Sequence, residues 1–276
     1  GRFVSRTFKR QAGSLTFLSR HVVLDHLAWE IIRGLPEDFS TRRERVVVFC
    51  GIHKGFGLAW LRRGYKIALQ TEQMFDQTGK PLWGQSKKRA RRLAFAARAA
   101  DLILDLSAAN RRFYEAYCPQ ALAAGKVRFG PYLFPSRPLP FDPNGDQSVA
   151  FFGSVGKGRR AGVIEAIDAF RVRMLESGTF FEDLYRQVKS CTAVLNVHFE
   201  EGVYTEAPRL LTSLHCGKPL VSEPLGDPFV AGEHYIPIDA YDETRVTADN
   251  REVFERLSRF VSGNLSFERF LRDNRI

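Results

Sequence analysis

The chain has 276 residues, 44% of them hydrophobic and 26% charged, a composition that excludes a disordered segment and suits one large domain or two small ones. Its most apolar long stretch, residues 15–35, is broken by Arg20, Asp25, Glu30 and Arg33, which excludes a membrane span or secretory core there. Charge is unevenly placed: residues 1–140 carry 25 Lys and Arg against 10 Asp and Glu, a net of +15, and the remainder 16 against 21, a net of −5.

Residues 2–8 read as a first strand. Residues 22–33 predict an amphipathic helix in which Val23, Leu24, Leu27, Ala28, Ile31 and Ile32 share a face, ended by Gly34. RVVVFC at 45–50 is a continuous apolar run of the buried-strand type. A turn over 51–57 leads into a helix to about residue 63 and a strand at 65–69, with residues 70–76 beyond that strand's carboxyl end. Residues 86–100 predict a basic, Ala-rich helix, 101–106 a strand, and Ser107 the N-cap of a helix running to Tyr117. Residues 127–129 add a further strand. This alternation predicts a parallel sheet with crossover helices.

Residues 131–147 hold Pro131, Pro135, Pro138, Pro140 and Pro143 among few helix formers, which predicts a stiff, extended linker. The alternation then restarts with a strand at 149–152, a glycine-rich turn GSVGKG at 153–158 and a helix at 159–170. A strand at 172–175, a helix at 180–189 and an apolar strand at 193–197 follow. Thr205 reads as the N-cap of a helix with Pro208 in its first turn, Leu210, Leu211 and Leu214 on one face, and Gly217 at its end. Strands at 220–222 and 235–239 and helices at 250–261 and 266–273 close the chain.

The loop before that helix lies at a strand's carboxyl end and a helix N-terminus, where backbone N–H groups and the helix dipole favour an anion such as a phosphate. His198, Glu206 and Arg209 crowd this corner. With EAPR at 206–209, GKP at 217–219 and LVSE at 220–223, the segment resembles the signature region of GT-B glycosyltransferases of the retaining, group 1 kind. ADLILDLS at 100–107, with Asn110 and Tyr114, resembles the last strand–helix unit of that family's N-terminal domain. VAFFGS at 149–154 is similar to the first strand and turn of its nucleotide-sugar domain. The resemblance implies an α/β, GT-B-like fold of two Rossmann-like parallel-sheet domains facing a central cleft. Residues 1–131 would form the acceptor side, 132–147 the linker, and 148–276 the nucleotide-sugar domain. The family's acidic pair departs here, because Tyr204 and Thr212 stand where its two glutamates would.

The resemblance implies donor binding by Gly153, Ser154, Lys157, Arg159, His198, Thr205, Arg209 and Glu223, with Glu206 bonding hydroxyls of the donor sugar during catalysis. Plainer roles stand beside these: Glu206 as a first-turn carboxylate that complements the helix dipole, Arg209 as a side chain covering the helix. On the acceptor side His53, Lys54, Glu72 and Asp76 lie at expected strand ends. If the reaction inverts the anomeric centre, Glu72, His53 and Asp76 are the candidates for the general base, in that order; in a retaining reaction the leaving phosphate takes that proton. The implied function is metal-independent transfer of a sugar from a nucleotide-sugar donor to a glycan, a lipid-linked acceptor or a protein.

A non-catalytic sugar- or nucleotide-binding module is the alternative, favoured by Thr212, since fold does not fix function. The basic half suits an anionic polymer or peripheral contact with an anionic membrane, although the run at 87–98 reads equally as a solvated helix face. No RNP-like aromatic motif or zinc finger in the sequence supports nucleic acid as the partner. Cys50, Cys118, Cys191 and Cys216 stand far apart without a C-x-x-C pair, which points to a reducing compartment, the cytoplasm. Neither they nor the six histidines form a metal-ligand motif, so no metal and no cofactor is expected.

Overall fold

Gly13, with φ at +56°, closes a hairpin between Phe8–Ala12 (β1) and Leu15–Ser19 (β2). The computed structural model describes residues 7–82, 87–156, 158–242 and 248–276. It divides into two units, Gly1–Ser136 with Leu265–Ile276, and Arg137–Asn264. Each is an α/β unit built on a Rossmann-like parallel sheet. The strand expected at 2–8 lies outside the described residues except at its end; β1 starts at Phe8. The hairpin itself went unexpected, although Leu15 and Phe17 alternate toward the core as a strand requires.

In the first unit β2, Val46–Cys50 (β3), Tyr65–Gln70 (β4), Leu102–Asp105 (β5) and Val127–Phe129 (β6) lie side by side in chain order, all parallel. Every residue of β3 is buried, as a run without polar alternation demands. Val22–Arg33 (α1) forms as expected, with the His21 ring accepting a hydrogen bond from the Val23 amide at 3.3 Å. One sheet face, carrying Leu18, Val47, Phe49, Ala68 and Ile103, packs on Leu93, Ala96 and Ala97 of Lys87–Ala99 (α2). Arg111–Tyr117 (α3) adds Phe113 and Tyr114 to the same core.

Two expectations for this unit change. Residues 51–63 hold short 3-10 turns, Ile52–Lys54 and Gly57–Leu61, rather than a helix, because Gly51, Gly55 and Gly57 all take positive φ. Ser107 does not cap a helix with its side chain; its amide donates to Asp105 at 3.0 Å, and a 3-10 turn, Ala108–Asn110, precedes α3.

The second unit orders its parallel strands as Ile236–Pro237 (β11), Leu220–Ser222 (β10), Ala193–Asn196 (β9), Val149–Phe151 (β7) and Val172–Met174 (β8). The chain leaves β7 for β8 on one side and then crosses to β9 on the other. That reversal makes a topological switch point between β7 and β9, where open α/β sheets form their ligand crevice. The helix expected at 159–170 is Arg159–Glu165 (α5) and stops early, since Phe170 must leave it to pack edge-on against Tyr241 with ring centres 5.0 Å apart.

The proline-rich connector is bound down rather than loose. Leu133 and Phe134 are buried in the first unit. In the second, the Asp142 and Asp146 amides donate to Gly217 and Ser190 carbonyls at 2.8 and 2.9 Å. Lys218, with 0% exposure, donates to the Asp142 carbonyl at 3.1 Å and pairs with its carboxylate at 2.9 Å. Residues 265–276, expected with the second domain, group with the first unit. There the Phe267 amide donates to Phe134 at 3.1 Å, and the Ser266 hydroxyl caps Phe267–Asp273 (α9). Among the described residues no helix is long and apolar enough to cross a membrane.

Candidate functional site

At the switch point the turn after β7 and the loop after β9 present opposite charges to each other. Ala207–Cys216 (α7) begins with Glu206 at its N-cap position, so Glu206 stands one residue nearer the helix start than expected and Thr205 is not the cap. The Thr205 hydroxyl instead donates to the Gly226 carbonyl at 3.1 Å. Pro208 supplies no N–H, and the Arg209 amide already donates to the Glu206 carbonyl at 3.0 Å. The helix start is therefore poorer in free donors than a bare N-terminus, and charged side chains dominate the electrostatics around it.

Those side chains form two linked ion-pair groups. Arg160 donates to Glu206 Oε1 at 2.8 Å and to the Ser154 carbonyl at 2.7 Å. Arg209 pairs with Glu206 Oε2 and also donates to Asn196 Oδ1 at 3.0 Å and the Phe152 carbonyl at 3.2 Å. Arg159 forks onto Glu223 and reaches the His198 carbonyl at 3.1 Å. Glu223 Oε2 accepts the His198 amide as well, at 2.7 Å. Burial pushes the Glu223 carboxyl up, but the hydrogen bonds from Arg159 and the His198 amide outweigh it and hold the group below its ordinary value. Arg209 is almost fully buried, and desolvation lowers its affinity for the proton.

His198 joins the two groups. Its Nε2 lies 2.9 Å from the Pro224 carbonyl, which can only accept, so Nε2 carries the proton. Burial lowers the ring's pKa, and the neutral imidazole stacks on Tyr204 with centres 4.2 Å apart. That leaves Nδ1 as a buried acceptor lacking a hydrogen bond, 4.0 Å from Glu206 Oε1. The structure thus brings Ser154, Arg159, His198, Arg209, Glu206 and Glu223 together, and Gly153 adjoins them: a Cβ there would meet the Arg209 guanidinium at 3.3 Å. Lys157 lies outside the described residues. Arg160, one residue after Arg159 and absent from the donor-binding set that the resemblance implies, completes the group. Its signal was the Arg-Arg pair opening α5.

The first unit carries a second constellation at the carboxyl ends of β3 and β4. His53 Nε2 lies 3.2 Å from Glu72 Oε1, and Arg89 reaches Glu72 Oε2 at 3.5 Å. Burial and the cations of Lys54, Arg89 and Arg92 push His53 down to about 3, so the imidazole is neutral and Nε2–H donates to Glu72. Burial raises the Glu72 carboxyl, against Arg89 and Lys54. A fully buried scaffold positions this pair. Asp105 accepts from Asn110 and Tyr114 at 2.9 Å each, and Asn110 in turn bonds the Glu72 carbonyl at 2.8 Å and the Met74 amide at 2.9 Å. Asp76 does not join it. Its carboxylate closes its own turn, accepting from Thr78 at 2.7 Å and the Lys80 amide at 2.8 Å.

No protein-family model and no curated protein matches this sequence. Among solved structures the chain is similar to a point mutant of S. aureus TarM in complex with fondaparinux, α-GlcNAc-glycerol and UDP (TM-score 0.42, 11% identity, 93% of this chain and 56% of that one). It is also similar to the GtfA/B complex (TM-score 0.44, 13% identity, 84% and 57%). A third is accessory secretory protein 1, 2 and 3 of Streptococcus pneumoniae (TM-score 0.38, 10% identity, 97% and 59%). The chain thus spans less than two thirds of each of these chains.

Proposed function

We propose that the second unit binds a nucleotide-sugar donor at its switch point and that the chain transfers the sugar to a hydroxyl acceptor. One observation carries the reading: Arg159, Arg160 and Arg209 converge with Glu206 and Glu223 on the crevice between β7 and β9. The carboxylates and guanidiniums of this site neutralise each other. A diphosphate entering this crevice takes guanidinium partners from the carboxylates, and the freed carboxylates accept hydrogen bonds from sugar and ribose hydroxyls. The three arginines exceed the two glutamates by one positive charge, which favours entry of an anion.

During transfer the bond from the anomeric carbon to the diphosphate oxygen breaks, and a bond to the acceptor oxygen forms. Guanidiniums stabilise the charge that develops on the leaving diphosphate. The acceptor proton goes to a carboxylate base if configuration inverts, and to the leaving phosphate if it is retained. The setting is a reducing compartment, and the acceptor is a glycan, a lipid-linked sugar or a protein.

A binding module without turnover is the second reading. Thr212 favours it: this buried hydroxyl donates to the Pro208 carbonyl at 3.1 Å, where the resemblance puts a glutamate. Calorimetry with UDP, GDP and ADP and their glucose conjugates, followed by a hydrolysis assay on the tightest conjugate, separates the two. Binding of a conjugate with turnover supports transfer, and binding without turnover supports the module. No binding of any nucleotide overturns both.

A further inference from the structure

The 3-10 turn after β3 leaves two large apolar side chains in solvent. Leu58 is 82% exposed and Leu61 78%, and Phe95 on α2 stands beside them at 47%. All three line one open depression of about 690 Å³ floored by Phe56 and Trp60. Trp60 is itself held rigid by stacking on Phe49, with ring centres 3.9 Å apart. The charged lining of this depression is wholly cationic: Arg20, Lys54, Arg91 and Arg92. Arg62 and Arg63, both exposed, follow Leu61 directly.

This pairing of features selects an occupant. A second copy of the chain would set cations against cations across a self-complementary interface. Single-stranded nucleic acid stacks on exposed aromatic faces, whereas the two most exposed side chains here are aliphatic. An anionic bilayer surface answers both features, because it takes aliphatic side chains into the acyl boundary and meets cations with headgroup phosphates. We propose that this face of the first unit docks on a membrane rich in anionic phospholipid, with Leu58 and Leu61 inserted and Lys54, Arg62, Arg91 and Arg92 at the phosphates. The inference is independent of the donor site.

Flotation with phosphatidylcholine vesicles, with and without 30% phosphatidylglycerol (roughly the anionic share of many cell membranes), tests it on the full chain. The expected result is at least about tenfold more bound protein on the anionic vesicles, falling as salt rises. Leu58→Ser with Leu61→Ser should reduce that binding about tenfold at unchanged thermal stability, since neither side chain is packed. Arg62→Ala with Arg91→Ala should flatten the salt dependence. Should a double variant fold poorly, quenching of tryptophan emission by brominated phosphatidylglycerol in a Trp29→Phe, Trp83→Phe chain gives the answer, because its one remaining indole, Trp60, lines the depression with the leucines. Equal binding to neutral and anionic vesicles overturns the proposal, as does undiminished binding by the leucine variant. Absence of quenching, or a dimer that the leucine variant splits while vesicles are ignored, overturns it too.

Discussion

Arg159 and Glu223 form a forked ion pair that ties the turn after β7 to the end of β10. Glu223 is thereby occupied by a guanidinium, with which the ribose of the proposed nucleotide would have to compete. Glu223→Gln should therefore weaken a nucleoside diphosphate about tenfold, a loss near 1.4 kcal/mol. Inorganic pyrophosphate, which has no hydroxyls, should bind at least as well as before. Calorimetry with both ligands checks this, and equal losses for the two would remove Glu223 from hydroxyl binding.

Glu206→Gln tests the other group. A lone carboxylate at a helix start is worth about 0.3–1 kcal/mol. Here it holds both Arg160 and Arg209, and both guanidiniums are buried. Breaking a buried pair costs about 3–5 kcal/mol, and partial exposure of Glu206 reduces that to roughly 1–3. Melting should shift accordingly, with turnover falling further than donor affinity. A variant as stable and as active as the parent would leave Glu206 without a role.

The first unit's pair is tested by Glu72→Gln. If Glu72 takes the acceptor proton, transfer should fall by about 10²–10⁴ while donor binding holds. Hydrolysis of the donor in the absence of acceptor should change less. Unchanged transfer would point to the leaving phosphate as the base.

Asp105 makes a pH prediction whose sign is fixed by burial. Desolvation pushes its carboxyl up to about 7 from an ordinary 3.8, against the hydrogen bonds from Ser107, Tyr114 and Asn110. The folded protein therefore keeps this proton where the unfolded chain has lost it. Its contribution to stability is full below the unfolded value and declines by about 4 kcal/mol as pH rises toward 7. Asp105→Asn removes that decline, so the variant's melting temperature relative to the parent should climb between pH 4 and pH 7. A difference that stays flat across this range would refute a protonated Asp105.

Much of this was legible along the chain. Val46–Cys50 and Ala193–Asn196 announce themselves as apolar runs, and Gly217 marks its helix end with φ at +70°. The site was legible only in outline. That β7 lies between β8 and β9 depends on strand order, which no local pattern encodes, yet this order brings Arg159 to Glu223 across 64 residues of chain. Asp76 and Thr205 show the opposite limit. Each has the chemistry of a ligand contact and spends it on its own loop or on Gly226, because a buried polar group must be satisfied first.

Lys218 sets the outer edge of what can be trimmed from the second unit. Its ammonium is sealed by the Asp142 carboxylate and by carbonyls of Asp142 and Asn144, all of which precede the first strand of that sheet. Gly217 adds a steric demand, since a Cβ there would stand 2.5 Å from the Pro140 carbonyl. A shortened chain beginning at Val149 would expose its core and strand a buried positive charge. One beginning at Arg137 keeps the seal. What reads in the sequence as a linker is thus the hem of the second unit.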